Sequence, residues 1–171
     1  MLQRIQESGL VPSTKKCAFG VKDVTYLGTV IKEGMLCIRE QKTAQLRDIP
    51  APNSVEEVRR ALGPFAFVQR WLPGLADVAR PLYDLIGCKG RQKFVWNSAC
   101  NGAFENLKDM VAKAMALRIS REDLEFTVVT DASDIGTGAM LAQKEGQLLV
   151  PVAFCHHALT AAERKYNTAE K

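Results

Sequence analysis

The hydrophobic period of the sequence changes near residue 122, and this change limits the folds that the chain can adopt. Upstream, apolar residues recur at the i, i+3, i+4 spacing of an amphipathic helix, as at Val55, Val58, Ala61, Leu62 and Phe65. Downstream, alternating runs predict three strands, in FTVVTDAS, IGTGAMLAQ and QLLVPVAFCHH. Helical and extended segments that follow one another along a chain predict an α+β fold.

Two capping boxes mark helix starts. Ser54 is followed by Glu57 and Thr160 by Glu163, so that each hydroxyl and carboxylate can satisfy free amides of a first helical turn. Further helices are predicted over 1–11, 75–86 and 97–116. Proline removes an amide and clashes with the preceding turn, which predicts a kink at Pro64 and a bend or interruption near Pro81.

Short strands are predicted before residue 40. The runs CAFGV, VTYLGTVI and MLCI alternate, and the second and third, joined by Lys32-Glu33-Gly34, predict a β-hairpin. A proline-containing link over 49–53 separates this hairpin from the helix at Ser54. FVW at 94–96 is strand-like, and a basic loop, GCKGRQK, spans 87–93.

Composition excludes several classes of protein. Hydrophobic residues make up 47% and charged residues 25%, as in globular domains, so disordered and fibrous architectures are excluded. No apolar run reaches the ~20 residues needed to span a bilayer, and the N-terminus lacks the apolar region of a secretory signal. We expect a soluble, intracellular chain without a membrane partner, in the cytoplasm or the nucleus.

The five cysteines do not form a recognisable pattern. Their odd number and the lack of a CxxC pair argue against a disulfide framework and a zinc ribbon. Cys155-His156-His157 has the residue types of a metal site, but adjacent residues of a strand point to opposite faces. We expect reduced thiols that pack as small hydrophobic side chains.

Charge is distributed unevenly along the chain. The formal charge of +4 combines +8 in residues 1–121, with 19 basic against 11 acidic residues, and −4 in residues 122–171, with 4 against 8. This asymmetry suggests a basic part that meets a polyanion. Ordinary solvated surface is the alternative explanation.

Seven strings occur in one order: KCAF, VTYLGTVI, PAPNSVEEVRRALG, WLPGLADVARPL, FVWNSACNGAFENLK, TVVTDASDIGTGAMLAQ and VPVAFCHHALTAAERKYNTAEK. Together they resemble the pol polyprotein of gypsy-type LTR retrotransposons over residues 2–171. The resemblance implies the end of a reverse transcriptase palm with a primer-grip-like hairpin in 1–49 and thumb-like helices in 50–90. It further implies a connection-like helix in 91–121 and a truncated ribonuclease H-like domain, with a three-stranded antiparallel sheet, in 122–171.

The resemblance implies that nucleic acid is bound by the hairpin. Tyr26, Leu27 and Gly28, in its first strand, match the primer grip, which positions the primer 3′ end. Glycine permits a close approach of the sugar-phosphate backbone, and tyrosine offers a flat face or a hydroxyl donor. The alternative is a sheet-packing aromatic beside a glycine at a bulge.

The helix from Ser54 resembles the thumb helix that lies along the minor groove of the template–primer duplex. Arg59, Gly63 and Phe67 then fall on its groove-facing side, at i, i+4 and i+8. Arg60 and Arg70 are the candidate phosphate contacts. Phe67 as a core residue is the alternative, and the predicted kink at Pro64 interrupts the track beyond Gly63.

Asp131 matches the first member of the carboxylate set that binds two divalent cations, Mg²⁺ or Mn²⁺, in the family's ribonuclease H. It lies in the apolar run VVTDA, where an unpaired carboxylate is costly. No YxDD-type polymerase loop occurs, and the chain ends at Glu170-Lys171, before the expected second carboxylate. We therefore expect a catalytically silent chain that holds no metal stably.

These observations predict a fragment of a reverse transcriptase/ribonuclease H, itself an inactive nucleic-acid-binding piece. Its expected partners are an RNA–DNA hybrid or other duplex and the remainder of the pol polyprotein. A domesticated interaction or structural protein is the alternative, and a gene prediction without a stable product is a third. A polymerase core encoded upstream and an integrase frame downstream would favour the first.

Overall fold

The computed structural model describes residues 2–87, 94–160 and 162–166. It confirms the α+β prediction, with α-helices and two antiparallel sheets. Three short 3₁₀ turns occur at Thr14–Lys16, Gln69–Trp71 and Glu163–Lys165. The helices are α1 (Leu2–Glu7), α2 (Glu40–Arg47), α3 (Val55–Val68), α4 (Leu75–Gly87) and α5 (Ser98–Ala112). The strands are β1 (Asp23–Tyr26), β2 (Thr29–Lys32), β3 (Met35–Ile38), β4 (Leu117–Arg118), β5 (Phe126–Ala132), β6 (Gly136–Glu145) and β7 (Leu148–Ala158).

The first sheet has the strand order β1-β2-β3-β4. Two-residue turns join its first three strands, at Leu27-Gly28 with φ of 48° and 81° and at Glu33-Gly34 with φ of 50° and 76°. Two positive φ values are the requirement of a type I′ hairpin turn. The prediction of Tyr26-Leu27-Gly28 within one strand is therefore wrong, because VTYLGTVI folds as a strand, a turn and a second strand.

The helix α3 begins where its capping box predicts. The Ser54 hydroxyl accepts from the Glu57 amide at 3.1 Å, and the Glu57 carboxylate accepts from the Asn53 amide at 2.7 Å. The helix then continues through Pro64 to Val68, and α4 likewise continues through Pro81. Neither proline therefore interrupts its helix, and the kink predicted at Pro64 and the bend predicted near Pro81 stay predictions.

The core lies between the helices and the first sheet. Trp71, directly after α3, is 2% exposed and donates its indole N–H to the Leu36 carbonyl of β3 at 3.0 Å. Phe65 of α3 meets Phe104 of α5 edge to face, with ring centroids 6.4 Å apart. Each fully buried side chain of this size contributes roughly 1.5–3 kcal/mol. This core fixes α3 relative to the first sheet.

The second sheet has the order β5-β6-β7 and is tied to the first by polar contacts. Arg118 of β4 donates to both carboxylate oxygens of Glu145 in β6, each at 2.9 Å. Gln143, 1% exposed, donates to the carbonyls of Arg121 and Leu124 and accepts from the Arg121 amide. These bonds fix the connection over 119–125.

Several local predictions are wrong. CAFGV and FVW form no strand, and the box at Thr160 opens the 3₁₀ turn Glu163–Lys165 instead of an α-helix. Helix α5 ends at Ala112 and not at the predicted residue 116. Residues 117–118 then form β4, which pairs with β3. Cys17 and Cys155 are exposed, whereas Cys100 is buried as expected.

Residues 88–93 of the basic loop and Glu170 lie outside the described residues. Within the described ranges, no helix is long and apolar enough to cross a bilayer.

Candidate nucleic-acid interface

The turn between β1 and β2 lies against the outer side of α3. A Cβ added at Gly28 would lie 3.4 Å from Phe67 Cζ and 3.6 Å from Phe67 Cε1. Because glycine has no Cβ, the aromatic ring can approach the turn backbone closely. Two features that the sequence predicted separately, the hairpin and the helix, therefore meet at one ring.

The outer face of α3 carries Arg59, Gly63 and Phe67, all exposed, while Val58, Leu62 and Phe65 point into the core. Phe67 keeps 47% of its surface exposed and is not a core residue. A Cβ at Gly63 would meet no atom within 4 Å, so the helix backbone is accessible at that point. Since α3 is uninterrupted at Pro64, the three residues form one continuous face.

Tyr26 and Leu27 lie at the tip of the hairpin, 63% and 73% exposed. The Thr29 hydroxyl donates to the Tyr26 carbonyl at 2.7 Å and holds the turn closed. A sheet-packing role does not explain a tyrosine with this exposure. The tip is an accessible surface beside Phe67.

The three candidate arginines differ in their surroundings. Arg59 Nη1 lies 3.6 Å from Glu56 Oε2, and the Arg70 guanidinium carbon lies 5.5 Å from the Trp71 ring centroid. Arg60 is exposed about 100° around the helix from Arg59 and, together with Pro50, lines a cavity of about 510 Å³. The structure therefore places Arg59 on the Phe67 face and Arg60 on the adjacent side.

Sequence reasoning missed Lys42, which α2 brings to the same place. Its Nζ lies 5.9 Å from the centroid of the Phe67 ring. No helix was predicted over 40–47. Leu46 is the one buried residue of this helix, so the segment lacks the repeated apolar positions that predict a helix. Without that helix the sequence gives no reason to connect Lys42 with Phe67.

Asp131 is exposed near the end of β5, an edge strand. The expectation that Asp131 is buried among apolar residues is wrong. Thr127 is half-buried, and every other residue of β5 is exposed. Asp131 pairs with Gly138, and Gly138 pairs with His156 on β7, so Asp131 and His156 share a face of the sheet.

A cavity of about 240 Å³ lies between this face and the start of α4, and Asp77, Asp131 and His156 are among the residues that line it. Burial lowers the pKa of His156, an effect that the Asp77 charge partly offsets. His157 points to the other face, where its Nε2 lies 3.2 Å from Glu163 Oε2. In the parts of the chain that the structure describes, no three His, Cys, Asp or Glu side chains come together as a metal site. These residues do not fit a two-cation centre.

Comparison with known proteins identifies relatives of the whole chain. The family described as "RNase H-like domain found in reverse transcriptase" matches residues 96–171. The Gag-Pol polyprotein of woolly monkey sarcoma virus is 32% identical over 171 residues, which are 100% of this chain and 10% of the viral protein. The Pol polyprotein of feline endogenous virus ECE1 is 33% identical over 154 residues, 90% of this chain and 14% of that protein.

The chain is homologous to a segment of retroviral and retrotransposon Pol polyproteins. It spans only about a tenth to a seventh of the length of these Pol relatives. A retrotransposon relative, the Pol polyprotein from transposon 412 of Drosophila melanogaster, is 28% identical over 168 residues, 98% of this chain and 13% of its own length.

Solved structures share the fold of this chain. A foamy viral protease-reverse transcriptase in complex with dsDNA matches with a TM-score of 0.79 and 25% identity, covering 98% of this chain and 35% of the viral chain. The same kind of protein in complex with RNA/DNA hybrid matches with a TM-score of 0.77 and 24% identity, covering 91% of this chain and 21% of the viral chain.

Proposed function

We propose that this Pol segment binds duplex nucleic acid, an RNA–DNA hybrid or dsDNA, through the β1–β2 turn and the outer face of α3. The observation that carries the proposal is the contact between Gly28 and Phe67, which joins the primer-grip-like turn and the thumb-like helix into one surface. The related foamy viral proteins were solved with dsDNA and with RNA/DNA hybrid, which supports a duplex as the ligand.

Each residue type of this surface suits a groove and its phosphates. Arg59, Arg60 and Arg70 supply charge for phosphate oxygens, a contribution that is independent of sequence and sensitive to salt. The open backbone at Gly63 permits a close approach, and the exposed Phe67 ring can pack on sugars. Residues 1–121, which contain this surface, carry the +8 charge.

Fluorescence anisotropy with a labelled RNA–DNA hybrid tests the proposal at low and at physiological salt. We expect measurable binding that falls steeply with salt and is lost in the variant Arg59→Ala/Arg60→Ala/Arg70→Ala. The matched control Lys113→Ala/Lys144→Ala/Lys165→Ala removes the same charge from exposed positions elsewhere and should bind much better than the arginine variant. Equal loss in both variants, or no binding at low salt, would contradict the proposal.

We infer that the longer parent protein is an RNA-directed DNA polymerase and hybrid endonuclease that uses Mg²⁺ or Mn²⁺. Asp131 is the carboxylate of this chain that we assign to the endonuclease site. Because the described residues around it do not fit a metal centre, we expect no hybrid cleavage by the 171-residue chain with either cation. Metal-dependent cleavage that disappears in Asp131→Asn but persists in Asp77→Asn would overturn this expectation.

We also propose an origin in a gypsy-type element and the four-segment division at residues 49, 90 and 121. The order of the seven strings and the transposon 412 relative support the subclass. In this division the connection-like segment contributes β4 to the first sheet. The alternative of a domesticated interaction protein is not favoured, since the relatives are Pol polyproteins. Flanking DNA without a polymerase core and an integrase frame would contradict the proposed origin.

A further inference from the structure

We propose that Lys42 is a further nucleic-acid contact of this interface and that its ammonium group binds a backbone phosphate of the duplex. The inference rests on the proposed function and adds a third element, α2, to the turn and the helix already described. It follows from where the fold holds Lys42, from the charges around it and from the exposure of the ring beneath it.

The anchoring of α2 places Lys42 beside the interface. Leu46, one helical turn further along, is 1% exposed and packs in the core. Residues at i and i+4 lie on the same helix face, so Lys42 is carried on the inward side of α2 and is half-buried. From there its Nζ lies 5.9 Å from the Phe67 ring centroid, next to the Leu27-Gly28 turn.

The charge of Lys42 is not neutralised by its surroundings. Among the described residues no carboxylate lies within 4.0 Å of its Nζ, whereas Arg59 on the same surface is paired with Glu56. The face of an aromatic ring attracts an ammonium group and orients it without using its three donors. The ring is 47% exposed and Lys42 Nζ lies 5.9 Å from its centroid, so a phosphate that contacts the ring on this side lies within reach of the ammonium group.

A purely structural role is the alternative, in which Lys42 covers the Phe67 ring and stabilises the packing of α2. Lys108 provides a matched control for that role. Its Nζ lies 4.7 Å from the centroid of Phe104, a core ring that is 1% exposed, and 3.1 Å from Glu105. Lys108 therefore combines the same charge with the same kind of ring contact, away from the interface.

The test measures affinity for a dsDNA duplex over a series of salt concentrations, for the full chain and its Lys42→Gln, Lys42→Arg and Lys108→Gln variants. Each lost phosphate contact reduces the slope of log K against log salt by about 0.9 in magnitude. We expect this reduction in Lys42→Gln and the wild-type slope in Lys42→Arg and Lys108→Gln. Thermal unfolding of each variant shows whether it is folded.

Amine acylation of the wild-type chain, read by mass spectrometry, provides a second measurement that does not depend on a variant. Saturating dsDNA should slow modification of Lys42 and leave Lys113 and Lys144 unchanged. If the wild-type chain binds but the slope of Lys42→Gln and the reactivity of Lys42 stay the same, this inference is overturned and the proposed function stands. If the wild-type chain does not bind at low salt, both are overturned.

Discussion

The ring of Phe67 lies on the backbone of Gly28, so closely that a Cβ at Gly28 would lie 3.4 Å from Phe67 Cζ. The turn that carries Gly28 has positive φ at both central residues, and the helix that carries Phe67 is anchored in the core by Phe65 and Val68. The contact therefore couples the first sheet to the outer face of α3. A Cβ at this point would already be in van der Waals contact with the ring, so a side chain that extends beyond Cβ meets Phe67.

Gly28→Leu tests this coupling against Gly34→Leu. Both glycines have positive φ, so each substitution carries a similar backbone strain of about 1–2 kcal/mol. Only at Gly28 does the new side chain meet Phe67, whereas Gly34 faces open space. We expect Gly28→Leu to lower the free energy of unfolding, measured by urea denaturation, by roughly 1 kcal/mol more than Gly34→Leu. Equal losses would show that the Phe67 contact is energetically unimportant.

The ion pair between Arg118 and Glu145 predicts a pH dependence of stability. Hydrogen bonds from the Arg118 guanidinium hold the pKa of the Glu145 carboxyl below its ordinary value of 4.5. The unfolded chain then binds this proton more readily than the folded chain, so the stabilisation is present above pH 4.5 and is lost as the pH falls through the folded-state pKa.

We therefore expect Glu145→Gln to lower the Tm at pH 7, and the difference from wild type to shrink below about pH 4.5. Glu125→Gln makes the same substitution at an exposed position and serves as the control. A Tm difference for Glu145→Gln that is constant or grows as the pH falls would contradict the assignment.

Hydrogen exchange should separate the second sheet from the helical core. The main cluster of buried residues lies between Leu46 and Leu117, while β5 is an exposed edge strand paired only with β6. Amides buried in a large core open with the highest free energies, and amides at a sheet edge with low ones. We expect slower exchange in α3 and α5 than over 126–158, with the fastest strand amides in β5. Equal protection of β5 and α3 would refute this ordering.

Local signals explain the parts of the fold that the sequence predicted. The cap at Ser54 depends on two side chains three residues apart, and the hairpins β5–β6–β7 depend on strand alternation, with Gly146 in the turn between β6 and β7. Such features are encoded within a few residues and form wherever the segment is placed. Helix α3 continues through Pro64, where the core packing of Phe65 and Val68 offsets the local cost of proline, and the kink predicted there stays a prediction.

Long-range contacts explain what the sequence left out. Leu117 and Arg118 form a strand only because β3 offers an edge, and Gln143 is buried only because the 119–125 connection supplies its partners. The Leu27-Gly28 turn lacks the Asn-Gly or Asp-Gly signal of a type I′ turn.

The candidate site was predictable to the extent that one helix determines it. The resemblance to a thumb helix singled out Arg59, Gly63 and Phe67, their spacing predicted one shared helix face, and the structure places them on one exposed face. The approach of Gly28 and Lys42 to Phe67 is a tertiary contact between three elements, which no local pattern contains. The binding roles of these residues, and the catalytic role of Asp131, stay predictions.

Amide chemical-shift mapping on the ¹⁵N-labelled chain, titrated with an RNA–DNA hybrid at low salt, reports where on the protein the duplex binds. We expect saturable shifts at Leu27, Gly28, Arg59, Gly63 and Phe67 that disappear as salt is raised, with β7 unaffected. Saturable shifts confined to residues 122–160, with the turn and α3 unchanged, would contradict it, as would an absence of shifts at any hybrid concentration.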